Sequence, residues 1–154
     1  MAVKIKKRRR RPKEEYVHYV ATISGWEHMF GFSVGKHSRY EREPYSEFGS
    51  LTLRGMMVRP EECKYPKAEF TIHSKRGMFD GEWDTLPKSI GTLYADGDLL
   101  RIAIFVPVER MAELLTMAAS ERVQAVAFVG TKLKWRQGSV HNIELMTEFI
   151  EEDW

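Results

Sequence analysis

Eight cations crowd the ten positions at the front of this chain: Lys4, Lys6, Lys7, Arg8, Arg9, Arg10, Arg11 and Lys13. Side chains of this kind neutralise phosphates and release counterions, which gives salt-sensitive and sequence-independent affinity for nucleic acid. The arginine fork adds two-point contacts to phosphate oxygens. Basic residues total 24 and acidic residues 22, yet no acidic residue precedes Glu14. Residues 14–154 therefore carry 16 basic against 22 acidic side chains, a net of −6. The sequence pI of about 8.6 belongs to the tail, and the body is acidic. Three roles fit such a tail: a nucleic-acid arm, a nuclear localisation signal, or a strand of charge that docks on an acidic protein surface. A tail that only aids solubility is the plainest alternative. An acidic body argues against a nucleic-acid footprint spread over a whole face.

A second polar stretch runs from Lys36 to Glu47 (KHSRYEREPYSE). It has no apolar period and reads as a long exposed loop, and unstructured loops of that length are often functional. Arg39 and Arg42 share it with Tyr40 and Tyr45, a pairing of cations and rings suited to an interaction loop. Aromatics in loops stack on bases or anchor an interface. Trp26, Trp83, Trp135 and Trp154 are also candidates for such work, with core packing expected for Trp26 and Trp135.

Enzymatic and metal motifs fare worse. Gly31-Phe-Ser-Val-Gly35 matches G-x-S-x-G in letters, but a nucleophile elbow needs a strand-to-helix turn and no helical apolar face follows. Asp80, Glu82 and Asp84 alternate around Gly81 and Trp83, yet a calcium loop of the EF-hand kind would need Gly at 85 and Glu at 91, where Thr85 and Gly91 stand. His18, His28, His37, His73 and His141 are scattered, without the paired spacing of a structural zinc site. Cys63 with His73 mimics a thiol–histidine pair only if the fold brings them together. No metal site, catalytic residue or cofactor is expected. The arginine run invites comparison with cyclic-dinucleotide-binding barrels of the PilZ kind. The D-x-S-x-x-G motif of such a barrel does not follow the arginines here, and the comparison goes no further.

The elements that must position these residues centre on Ile90 to Val129, the densest apolar pattern in the chain. Ile90–Ala95 and Leu99–Val106 read as strands joined across Asp96-Gly97-Asp98, with Asp-Gly expected at the centre of a type I′ turn. Pro107 stops the second strand and suits the first turn of a helix. Met111, Leu114, Leu115 and Ala118 then share one helical face, over Pro107 to Ala118. Arg122 to Val129 returns to strand. Upstream, Tyr16–Ser24 alternates with Val17, Tyr19, Ala21 and Ile23 on one side, and Gly25 is expected to end it. Met29–Val34, Phe48–Val58 and Lys67–His73 follow as strands, and Pro60 and Pro66 bracket a turn around Cys63. Downstream, Lys132–Trp135 and Ser139–Phe149 are expected to flank a turn at Gln137-Gly138, and Glu151–Trp154 to fray.

The resulting fold class is mainly β (α+β): an antiparallel sandwich or barrel-like domain of eight or nine short strands with one amphipathic helix. Residues 1–15 read as a disordered basic arm and 16–154 as one β-rich domain. No run of eighteen apolar residues exists, no apolar stretch follows the basic N-terminus, and one cysteine permits no internal disulfide. These features fit an intracellular protein, cytoplasmic or, in a eukaryote, nuclear, without membrane partners. The leading functional reading is a non-enzymatic binding module whose basic arm contacts nucleic acid. The alternative is an interaction or assembly subunit, a homo-oligomer among the options, whose arm meets an acidic surface. An enzyme ranks last.

Overall fold

The structure is a computed structural model that describes residues 13–34, 45–76, 78 and 87–154. Seven strands are formed among these residues: β1 (Tyr16–Val34), β2 (Tyr45–Arg59), β3 (Lys67–Lys75), β4 (Gly91–Asp96), β5 (Leu99–Pro107), β6 (Ala125–Thr131) and β7 (Gln137–Met146). One helix, α1 (Val108–Ala119), lies between β5 and β6. The strands close into a barrel in the order β1-β2-β3-β5-β4-β7-β6. Every neighbouring pair is antiparallel except β3–β5. The mainly β class with one helix is thus correct, but the barrel forms rather than the sandwich, and the strand count of eight or nine is too high.

The excess has two sources. Gly25 does not end the first strand: β1 runs straight through it, so Tyr16–Ser24 and Met29–Val34 are one element. Lys132–Trp135 forms no strand of its own beyond a single bridge between Lys134 and Gln137.

Alternation explains the interior. Leu51, Leu53, Ala68, Phe70, Ile72, Leu93, Ala95, Leu100, Ile102 and Ile104 recur every second residue on their strands and are all buried. Tyr19 on β1 stacks on Phe128 of β6 with centroids 4.7 Å apart, and Phe128 meets Phe70 of β3 edge-on at 5.6 Å. Aromatic contacts of this geometry add about 0.5–1.5 kcal/mol each beyond burial. They join the closing strands to the far wall of the barrel.

Helix α1 begins and ends at the same mouth of the barrel, because β5 runs toward that mouth and β6 leaves it. It is therefore a lid across the mouth and not a crossover between parallel neighbours. Met111 and Ala118 are buried in the core, while Leu114 and Leu115 are only half-buried against it. The expected apolar face is present but rolled toward its edges. Pro107 precedes the helix as its cap rather than sitting in its first turn.

A bulge shapes β1. Ile23 pairs with Gly55 and Gly25 with Arg54, so Ser24 is an extra residue without a partner opposite. Its hydroxyl donates to the Arg54 carbonyl at 3.3 Å. Past the bulge, β1 pairs only with β2 among the described residues; β2 stays paired with β3 as far as Ser50, and beyond Met29 and Ser50 the two strands continue as a ribbon. A second bulge at His141 moves Ile143 and Leu145 inward beside Val140, where unbroken alternation would have placed Val140 with Asn142 and Glu144.

The acidic C-terminus is held. Glu151–Asp153 forms a single 3-10 turn, and Arg59 donates to the Trp154 carbonyl at 3.0 Å while pairing with Glu151. Gln124 accepts from the Phe149 N–H at 3.3 Å. This segment lies near the outer surface of β6, whose Ala125 and Ala127 are buried although they face away from the core. No helix of the described residues is long and apolar enough to cross a membrane.

Two outcomes test this packing. A Cβ at Gly55 would run into the Thr22 carbonyl at the bulge. Gly55→Ala should destabilise by about 3 kcal/mol in denaturant unfolding, the upper end of overpacking losses; a loss near zero would mean that the strands are not this close. Burial, with Cys63 and Tyr65 nearby, pushes the Tyr19 hydroxyl above its ordinary pKa. The neutral phenol is thus favoured in the folded state, and stability falls as pH rises beyond about 10, where the unfolded chain ionises first. Tyr19→Phe should flatten that alkaline decline in a pH series of unfolding midpoints.

Candidate functional site

The open end of the barrel, away from α1, gathers the start of β1, the ends of β4 and β6 and the hairpin between β6 and β7. The basic arm joins the body here. Its last member, Lys13, lines a shallow hollow with Glu15, Lys132, Lys134, Gln137 and Ser139. The Lys132 N–H donates to the Glu15 carbonyl at 2.8 Å, and Lys132 Nζ lies 2.8 Å from Glu15 Oε2. This contact holds the Glu15 carboxyl below its ordinary pKa and the Lys132 ammonium above its own. The root of the arm is thereby tied to the hairpin by both backbone and side chain.

The hairpin turns at Trp135 and Arg136. Lys134 and Gln137 exchange both backbone hydrogen bonds, at 2.9 and 3.0 Å, leaving those two residues as the loop. Their φ angles are 53° and 65°, the double positive φ of a type I′ turn. Asparagine and glycine normally fill such positions, because a bulkier Cβ is strained there by roughly 1–2 kcal/mol per residue. The tip is fixed laterally by the Ala95 N–H, which donates to the Arg136 carbonyl at 2.9 Å. Gly138 is reserved for another purpose: a Cβ there would meet Thr131 at 2.9 Å, so it cannot be read as the turn glycine. The turn expected at Gln137-Gly138 is accordingly displaced by two residues.

This geometry overturns the core reading of Trp135, whose side chain is 97% exposed. Trp26 is also exposed, on β1 opposite Leu53. Lys132, Lys134 and Arg136 surround the Trp135 position, and all three are exposed. The signal was present as Lys-x-Lys-Trp-Arg at 132–136, three cations in five positions around an indole. Placing the turn too late concealed it.

Of the other arm residues, Lys4, Lys6, Lys7, Arg8, Arg9, Arg10 and Arg11 lie outside the described residues, as do Arg39, Tyr40 and Arg42 of the polar stretch. Tyr45 opens β2, opposite Val34 at the far end of the ribbon. The arm root and the ribbon leave opposite ends of the barrel.

Cations on the barrel wall are engaged with one another's counterions. Glu27, Arg54, Glu69, Arg101 and Asp96 form a chain of ion pairs across five strands, at 2.8, 3.0, 2.9 and 3.5 Å. Hydrogen bonds donated by Arg54 to Glu27 and Glu69 push its pKa up.

The remaining motifs are dispersed. Ser33 lies within β1 opposite Ser46, in extended ribbon with no strand-to-helix turn. Cys63 donates to the Tyr65 carbonyl at 3.4 Å near the open end, whereas His73 sits toward the lidded end of β3 between Phe48 and Phe105. His18 and His28 are ten positions apart on one strand, about 33 Å along its axis, and do not converge. Among the described residues no group of three or more His, Cys, Asp or Glu side chains is placed to hold a metal ion. Asp80, Glu82, Asp84 and His37 lie outside them.

The strain at the tip has a measurable consequence. Trp135→Asn combined with Arg136→Gly should raise unfolding stability by about 1–2 kcal/mol. A drop instead would mean that the indole packs against the body.

Compared with models of known families, with curated proteins and with solved structures, the chain matches none.

Proposed function

We propose that this chain is a non-enzymatic nucleic-acid-binding module whose N-terminal arm, Lys4 to Lys13, supplies the electrostatic attraction. The observation that carries the reading is where the arm joins the body: Glu15 is bonded to the one hairpin on which Lys132, Lys134 and Arg136 are clustered. The cations of the arm, with Lys134 and Arg136 of the hairpin, then act on one polyanion, while Lys132 is held by Glu15. The rest of the body repels phosphate, since residues 14–154 are net −6 and the arginines of the wall are paired with carboxylates. Attraction concentrated at one end of a repelling body orients a phosphate chain as well as holding it.

A second reading, assembly with another protein or another copy, is favoured by the ribbon. Met29, Phe30, Val34 and Phe48 are large, apolar and exposed there, Phe30 by 61%. Two strands alone are marginal in water, and exposed apolar side chains on a protruding element are commonly covered by a partner.

Removal of residues 1–13 separates the two. On the nucleic-acid reading, affinity for DNA and RNA falls steeply and together. The intact chain should also show log affinity declining against log salt by roughly 0.9 for each phosphate neutralised on duplex DNA. Far-ultraviolet dichroism should be unchanged, because the barrel keeps its core. On the assembly reading, light scattering after size exclusion shows an oligomer that survives removal of the arm and dissociates on Phe30→Ser in the ribbon, with no nucleic-acid binding at any stage. Undiminished nucleic-acid affinity after removal would refute the arm as the binding element.

A further inference from the structure

We infer that the Trp135 hairpin tip is a stacking platform that makes the site selective for single-stranded nucleic acid. The inference rests on the nucleic-acid reading above and adds which form of the polymer is taken.

An indole that is 97% exposed contributes almost no burial to the fold, and it stands in a backbone conformation that disfavours it. Neither packing nor turn geometry explains a tryptophan at this position, since asparagine would suit the turn better. Its position does suit a ligand. The turn is closed by two backbone hydrogen bonds and pinned to β4 through Ala95, so the ring is carried on a rigid mount. Lys134 and Arg136 are exposed on either side of it in the chain, and Lys132, paired with Glu15, ties the arm root to the same hairpin. Tyr94, exposed on β4 and opposite Gln137 in register, adds a second ring on the neighbouring strand.

Such a combination binds two parts of one polymer at once. The cations take the phosphates, and the indole takes the face of a base. Every base has a π face, so this contact tolerates any sequence. In a duplex those faces are already stacked on each other and only the base edges are presented in the grooves. A single strand offers them freely. Selectivity therefore comes from the ring, while the arm attracts both forms.

The test uses the full chain with fluorescein-labelled oligothymidine, and separately a mixed-sequence DNA duplex of the same length, by anisotropy at low salt. Trp135→Ala should weaken the single strand by about 5- to 100-fold, the range of stacking losses, and leave the duplex and the salt slope unchanged. Trp135→Phe should recover part of the loss. The Trp135→Asn, Arg136→Gly pair should lose single-strand binding while unfolding at higher denaturant, which separates lost contact from lost fold. Equal affinity of wild type and Trp135→Ala for the single strand would overturn the stacking platform and leave the arm reading standing. Equal losses on both forms would also overturn it, making the tip a general phosphate contact. Failure of the wild-type chain to bind either form would overturn the nucleic-acid reading itself, and the platform with it.

Discussion

The bulge at Ser24 is the constraint on which the layout of the molecule depends. Nineteen residues of strand extend about 60 Å, far more than a barrel wall built from strands of six to ten residues requires. Below the bulge, β1 closes the barrel against β6; above it, only β2 accompanies the strand. Gly55 permits the bend by letting the Thr22 carbonyl approach where any Cβ would block it.

The same layout sorts charge and apolar surface by end. The wall neutralises its own arginines through the chain from Glu27 to Asp96, in which Glu69 is the most shielded member and bridges two guanidiniums. Isolated surface pairs contribute little, but a connected row on adjacent strands fixes the side chains that take part in it. Lys13, Lys132 and Lys134 share a hollow at the open end, and exposed apolar side chains gather on the ribbon at the other end. The helix lies across one mouth, and at the other Leu133, Cys63 and Tyr65 pack against the core.

Much of this was legible in the residues and some was not. The residue pattern located β2 and β3 as strands, and Asp96-Gly97-Asp98 located the β4–β5 hairpin. The hairpin's loop is Gly97-Asp98, however, and only Gly97 has positive φ, at 61°, the pattern of a type II′ turn in place of type I′. Glycine misled twice, because it serves close approach as well as turning. Gly25 looked like a strand end and lies inside one; Gly138 looked like a turn and is a point of contact with Thr131. Trp135 was assigned to the core because apolar type ordinarily signals burial, and only the position of the turn shows otherwise. The pairing of β1 with β6 spans most of the chain and leaves no local trace in the sequence.

That last pairing governs how the chain becomes folded. Tyr16 meets Thr131, so the first strand made waits for the sixth before the barrel can close. Contacts so distant in sequence are slow to form, because the intervening chain must be ordered before they reward it. During synthesis, β1 to β5 emerge as an open sheet with one long edge of β1 unpaired. Open edges of that kind invite pairing between copies. Eight cations precede β1 in the sequence of every copy, and repulsion between like-charged chains opposes such encounters until β6 arrives.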